Sequence, residues 1–419
     1  MKLTAPENEN YAAVVVQINT ILDLPNSDFL AAIPMFGYQI ISSKNVFQTG
    51  HLALFIPAEA QLDHDFASTN DMYRHAELNA DQNVTGYLED NRRVRAIKLR
   101  GNRSDALLMP LSSLLYTGID PTELQVGDTF DTINGHPICR KYYPSNYKAP
   151  SAGRNGQMPA ERTDAKFLPR HFDTPQYFRC KDQISPFENI VVTQKLHGTS
   201  IRLAHTIVPR PLTLRDRIAK RLGVKVQDTE YDYVSASRGR QKQLTDDDIW
   251  TQWGERLRGR IPAGFIVYGE IIGWHPDGKP VQKGYTYRLP IGASDLYVYR
   301  VVQVTTKGRA TDLSWDQMVE FCAEVGIETV PALYRGRHDF IEIESYMDKR
   351  LSETLPFLAV PLEEGTKKNP IVDEGVCVRV EGLTPQIFKA KSPLFFQFET
   401  KQLDADIIDT ETAEALVAA

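Results

Sequence analysis

The run Phe265–Trp274 (F-I-V-Y-G-E-I-I-G-W) constrains the fold more than any other stretch of this chain. It is a nearly continuous apolar strand that carries a single carboxylate, Glu270. A carboxylate within such a run is costly unless it meets a cation, a metal or strong hydrogen-bond donors. The chain must therefore build a core around this strand and supply a polar partner at Glu270. With 419 residues, 42% of them hydrophobic, it has enough apolar material for two or three domains.

A second stretch sets up a reactive group. Residues 190–206 (I-V-V-T-Q-K-L-H-G-T-S-I-R-L-A-H-T) read as two strands joined tightly at His197, Gly198 and Thr199. Glycine tolerates backbone angles that other residues resist, which suits a tight connection. That arrangement holds Lys195 at a strand end with its amine aimed into a cleft. A lysine so placed can act as a nucleophile when its amine is neutral, a form that desolvation and neighbouring cations favour. An isolated K-x-x-G is ordinarily an exposed turn, so the rest of the chain has to carry the case.

Further along, Tyr231–Arg240 is a strand ending in S-R-G-R, and Asp295–Val304 (D-L-Y-V-Y-R-V-V-Q-V) is a strand with two tyrosines on one face. Asp373–Val380 (D-E-G-V-C-V-R-V) begins with Glu374, and Gln386–Phe398 places Lys389 and Lys391 two apart on one face. Two such ammonium groups repel unless an anion lies between or above them, and a phosphate suits that role. Residues 209–226 form a basic, helical insertion with Arg210, Arg215, Arg217, Lys220, Arg221 and Lys225, which a solvated helix face would also explain. Residues 247–260 read as a helix with Trp250, Trp253 and Leu257 on a core-facing stripe. Ser314-x-x-Gln317 has the form of a capping box starting a helix that Gly326 stops, and 338–355 reads as another helix.

The first 145 residues are rich in short strand-like runs (Tyr11–Ile18, His51–Pro57, Val94–Arg100) punctuated by turn residues, the pattern of a small β-barrel or sandwich. Val94–Arg100 alternates apolar and basic positions, and its basic face can track a phosphate backbone. A Pro, Gly, Ser and Asn-rich segment follows and reads as a linker. The expected organisation is 1–145, a linker at 146–166, and a second domain over 167–419.

Composition removes several classes. The net charge of −6 does not announce a nucleic-acid binder, so any such surface is local. Cys139, Cys180, Cys322 and Cys377 stand too far apart for a CxxC or metal-ligand pattern. Neither a secretory signal nor a membrane-length apolar run is visible, so a cytoplasmic protein without membrane association is expected, most simply a monomer. There is no G-x-x-x-x-G-K-[ST], so a P-loop enzyme is not indicated.

Taken in order, K-L-H-G at 195–198, S-R-G-R at 237–240, Y-G-E-I at 268–271, L-Y-V-Y at 296–299, D-E-G-V at 373–376 and K-A-K at 389–391 resemble the motifs of the covalent nucleotidyltransferase superfamily of polynucleotide ligases and capping enzymes. The K-x-H-G-T form resembles the RNA-ligase branch, and the layout resembles ATP-dependent RNA ligases with an N-terminal OB-like domain. The resemblance implies an α+β fold, with a catalytic domain of antiparallel sheets and flanking helices preceded by a small all-β OB-like barrel that binds RNA. It implies ATP as AMP donor and Mg²⁺ or Mn²⁺ as cofactor. Lys195 would become lysyl-AMP, AMP would pass to an RNA 5′-phosphate, and a 3′-OH would attack that end, as in RNA repair or nick sealing.

By the same resemblance Glu270, Glu374, Lys389 and Lys391 would be catalytic, with Glu374 and Glu270 holding the metal. Thr193, Gln194, Leu196, Gly198, Arg238 and Tyr299 would contact the nucleotide with Glu270, Lys389 and Lys391, Tyr297 being the alternative aromatic. Two positions depart from the family: Gln194 replaces a frequent Glu, and Gly239 stands where relatives often carry a larger polar residue. The 28 residues after Lys391 (419 − 391) leave no room for the C-terminal OB domain of DNA ligases, so a DNA nick ligase is disfavoured. The intact motif residues disfavour a non-catalytic RNA-binding relative.

Overall fold

A computed structural model of the chain describes residues 2–144, 160–172, 174–354 and 371–405. The described residues divide into two compact units. One holds 2–144, 175–181 and 391–405; the other holds 160–172, 174, 182–354 and 371–390. The last helix and a short segment at 175–181 thus group with the N-terminal unit, whereas the sequence pattern predicts one domain over 167–419.

The N-terminal unit is antiparallel β. Strands β1 (Ala13–Gln17), β2 (Leu22–Asp23), β3 (Leu30–Met35), β4 (Tyr38–Ser43), β5 (Leu52–Pro57), β6 (Ala106–Pro110) and β7 (Thr129–Phe130) form a four-stranded sheet in the order β6-β5-β1-β7 and a three-stranded sheet β2-β3-β4. Strand β1 is covered on both faces: Ala13 and Val15 join one core cluster, Val14 and Val16 another. That explains why its sequence is continuously apolar rather than alternating. The unit has the all-β character that an OB-like barrel requires. The expected strand at 94–100 is shorter than its pattern suggested. Only Ile97–Leu99 is extended; it turns back through Arg100 and Gly101, both at positive φ, onto Asn102–Ser104.

The second unit is built from two sheets, antiparallel except for the short strand Glu328–Thr329, which pairs parallel with Tyr297–Val298. Strands β8 (Asn189–Gln194), β14 (Ala332–Arg337), β15 (Gly375–Val380) and β16 (Gln386–Lys391) run in the order β14-β8-β15-β16. Strands β9 (Thr199–Pro209), β10 (Thr229–Ser237), β11 (Phe265–Gly273), β12 (Ser294–Val304) and β13 (Ala310–Asp312) follow the order β10-β9-β11-β12-β13. Helices α1 (Leu214–Arg221), α2 (Ile249–Arg256) and α3 (Trp315–Val325) lie between strands, and α4 (Pro393–Asp404) belongs to the N-terminal unit. Helix α3 carries the expected capping box at Ser314 and Gln317, and Gly326 ends it at φ 69°.

Two expectations are corrected. The runs around Lys195 do not pair with each other: β8 lies in the four-stranded sheet and β9 in the larger one, so 195–198 is a bridge between sheets rather than a hairpin turn. The helix expected over 338–355 is instead a series of short turns, His338–Phe340, Ile343–Tyr346 and Leu351–Thr354. Of the expected linker, 160–166 is described, and Thr163 is buried there with its N–H on the Gln241 side chain; residues 146–159 lie outside the described residues.

Candidate active site

Gly198 explains the bridge between the sheets. A Cβ there would stand 2.2 Å from the Ile271 carbonyl oxygen, so only glycine lets the chain pass this close to β11. Close approach is its reason, rather than the unusual backbone angle the sequence suggested. The Gly198 N–H donates to Glu270 Oε1 at 3.0 Å, and Gln282 Nε2 donates to the Gly198 carbonyl at 2.7 Å. Ser200, directly opposite Glu270 in the β9–β11 register, donates to Oε2 at 3.4 Å. The carboxylate that the sequence leaves without a partner thus accepts from neutral donors at 198 and 200.

The other carboxylate is held differently. Gly375, at φ 125°, opens β15 just after Glu374. Glu374 Oε1 lies 2.8 Å from Lys195 Nζ and Oε2 lies 3.4 Å from His197 Nδ1. The Lys195 side chain is 25% exposed and that of Glu374 6%, so a buried acid faces a reachable amine. The Lys195 N–H donates to the Gly375 carbonyl at 3.0 Å, which fixes the lysine backbone to the strand carrying Glu374. Cys377 shows which charges converge here. Burial pushes its thiol up to about 11, and the charges acting on it belong to Lys195, Glu374, Lys389 and Glu270.

The remaining expected residues are distributed unevenly. Thr193, Gln194 and Leu196 are all buried. Gln194 donates its side-chain amide to Asp373 and to the Gly375 carbonyl. Arg238 is half-buried in the turn after β10. That turn is closed by the Ser237 N–H to the Arg240 carbonyl at 2.9 Å. Tyr299 lies at a β-bulge: Tyr268 pairs with Arg300 and Gly269 with Val298, so Tyr299 is the extra residue. It packs against the cluster containing Tyr268, with its ring 5.2 Å from that of His171. Tyr297 instead faces Glu270 in register. Lys391 is paired with Glu399 Oε1 at 2.5 Å within the N-terminal unit and lies over the rings of Phe395 and Phe396.

Several supporting residues were not read from the sequence. The Tyr287 hydroxyl accepts from the His197 N–H at 2.8 Å and donates to the His197 carbonyl at 3.3 Å, and burial holds it well above its usual range. Tyr285 meets the His197 ring edge-to-face at 4.7 Å and donates to the Val372 carbonyl. The buried Arg202 donates twice to the Ser237 carbonyl, and burial lowers its pKa. His171 stacks on Phe172 and approaches Tyr268. The pair of tyrosines in G-Y-T-Y-R (284–288) was the visible signal for the first two.

Two carboxylates from two sheets thus meet the bridge that carries Lys195, Glu374 at the lysine amine and Glu270 at the Gly198 N–H. Residues 188–391 match the RNA ligase family model. Over these residues, just under half of the chain, it is similar to the RNA ligases of the covalent nucleotidyltransferase superfamily. Among solved structures, the chain is similar to the Naegleria gruberi RNA ligase with PPi, at 16% identity and a TM-score of 0.60, covering 93% of this chain and 99% of that one. A lysine-to-alanine variant of the Naegleria gruberi enzyme, with ATP and Mn, gives a TM-score of 0.58 at 16% identity, covering 93% and 98%. At that identity the likeness establishes the fold. No protein of curated function matches the chain in sequence.

Proposed function

We propose that the chain is an ATP-dependent RNA ligase that joins 3′-OH and 5′-phosphate RNA ends through a lysyl-AMP intermediate. The observation that carries this reading is Lys195 Nζ, partly exposed and 2.8 Å from the buried Glu374, on a bridge whose other end is fixed by Glu270. The RNA ligase family match over residues 188–391 and the resemblance to ligase structures solved with ATP and Mn support it.

Lys195 Nζ attacks the α-phosphorus of ATP. A P–N bond forms, the bond from the α-phosphorus to the bridging oxygen breaks, and pyrophosphate leaves with the electron pair. The released ammonium proton goes to solvent. A 5′-phosphate oxygen of RNA then takes the AMP from the lysine, and a 3′-OH attacks that end and expels AMP. The protein's part is positioning and charge neutralisation.

Glu374 and Glu270 suit a hard divalent cation. Among the described residues no three His, Cys, Asp or Glu gather as a metal cage. A magnesium-type ion held by carboxylate, waters and phosphate oxygens needs none. Such an ion supplies charge neutralisation on the transferring phosphate. Glu374 would hold it, Glu270 would keep the bridge in place beside the ribose, Lys389 would face phosphate oxygens, and Tyr299 would lie against the adenine. For Lys391 we propose a phosphate contact on the K-A-K motif alone. We assign the N-terminal unit an RNA-binding role and the chain a cytoplasmic, RNA-repair setting.

The test is end joining with ATP and Mg²⁺ on nicked duplexes whose 3′-OH and 5′-phosphate strands are each RNA or DNA, with single-stranded RNA alongside. Sealing that requires RNA on the 3′-OH side is the expected result. Equal sealing of all-DNA nicks would contradict the RNA assignment.

A further inference from the structure

We infer that the α1 arm, inserted between β9 and β10, is a docking site for an acidic, amphipathic helical segment of a partner protein. The arm is built to stand by itself. Thr213 and Asp216 form a capping box, Arg210 pairs with Asp216 at 3.0 Å, and Lys220 pairs with Asp228 at 3.0 Å. These contacts matter because an isolated eight-residue helix is marginal in water. No residue of the helix is buried.

Its outward face has a particular chemistry. Leu214, Ile218 and Leu222, spaced at four-residue intervals, form one stripe and are 74%, 52% and 76% exposed; Val224 beyond them is 57% exposed. Arg215 borders the stripe on one side, and Arg217 and Arg221 on the other. These three and Lys225 are exposed and form no ion pair among the described residues. An unpartnered apolar stripe flanked by arginines calls for an apolar stripe flanked by carboxylates, the pairing rule of helix-on-helix recognition.

The alternatives cover less of this surface. An RNA backbone would neutralise the cations and leave the stripe in water. An anionic bilayer would accept both, yet the arm offers it only a two-turn helix on a chain whose net charge is −6. The arm also stands away from the reaction. Strand β9 runs from Thr199, beside the Glu270 contacts, to Pro209 at the base of the arm. At roughly 3.3 Å per residue that is about 30 Å. A partner on the arm therefore holds the enzyme without covering Lys195, and the inference does not depend on the ligase reading.

The experiment uses the full chain and fluorescence anisotropy. The probe is a labelled designed helical peptide with a leucine stripe flanked by glutamates; its scrambled version is the control. Duplex RNA and phosphatidylcholine vesicles containing one-fifth phosphatidylserine are measured in parallel. Two surface variants are compared, one with Leu214→Ser, Ile218→Ser and Leu222→Ser, the other with Arg215→Gln, Arg217→Gln and Arg221→Gln. The inference predicts binding of the patterned peptide over its scrambled form, weakened about tenfold or more by each variant. Self-adenylylation should stay unchanged in both. Peptide binding that is absent, or equal in wild type and variants, overturns it. Binding of RNA or vesicles that both variants abolish, with the peptide ignored, overturns it in favour of that ligand.

Discussion

Glu270 and Glu374 approach the same bridge from two different sheets and are held in opposite ways. Glu270 accepts from a backbone N–H and a hydroxyl, groups that keep their charge state whatever arrives in the cleft. Glu374 faces Lys195 and His197, side chains that can rotate to other partners. One carboxylate is tied to the bridge backbone, and the other is held by side chains. The difference teaches that two residues of one type, both expected at the metal, need not do the same work.

The largest effect should come from closing the gap between the sheets. Gly198→Ala puts a methyl group within 2.2 Å of the Ile271 carbonyl, so β9 or β11 must shift. We expect a loss on the order of 3 kcal/mol or more in denaturant unfolding, with adenylylation lost alongside. Retention of both would show that the bridge tolerates a side chain at position 198.

Removing the two carboxylates separates their roles. Glu270→Ala leaves the buried Gly198 N–H without its acceptor, which costs about 1–3 kcal/mol. Glu374→Ala should cost less stability and should abolish the divalent-cation dependence of adenylylation. Thermal melts and a Mg²⁺ titration measure both. Equal stability losses would erase the contrast.

Tyr287→Phe is a smaller cut. It removes the hydroxyl that brackets His197 and should cost about 1 kcal/mol, with a raised KM for ATP and a nearly unchanged fold by circular dichroism. A wild-type KM would detach Tyr287 from the site.

The N-terminal unit supplies a contrast in kind. Glu59 is buried, accepts from the Thr400 hydroxyl at 2.7 Å and lies 3.4 Å from Arg93; burial raises its pKa to about 7 from 4.5. The folded state then holds this proton more tightly than the unfolded chain. The stability this provides is fully present below about pH 4.5 and is lost as the pH rises through 7. Glu59→Gln should flatten that slope, which is worth on the order of 3 kcal/mol. Urea melts of both proteins across this range decide it, and an unchanged slope would assign the titration elsewhere.

Much of this was legible in the sequence because it is local. Glu270 within an apolar run, the Ser314 and Gln317 box and Gly326 all declare themselves within a few residues. What was not legible depends on distant partners. That β8 and β9 lie in different sheets follows from pairings with 332–337, 375–380 and 265–271. The grouping of α4 with the N-terminal unit rests on Phe396 at Tyr38 and Thr400 at Glu59, contacts more than 300 positions away in the chain. The bulge at Tyr299 is a property of the β11–β12 register and left no mark in L-Y-V-Y. At 338–355 the pattern allowed a helix, but the backbone at Asp348 has φ 57°, which breaks it.

The most direct measurement is to incubate the full chain with ATP and Mg²⁺ in the absence of RNA, digest it, and locate the AMP adduct by mass spectrometry. AMP on the peptide containing Lys195, absent after Lys195→Ala, is the predicted result. AMP on any other residue, or an adduct that survives Lys195→Ala, would contradict the assignment of Lys195 as the nucleophile.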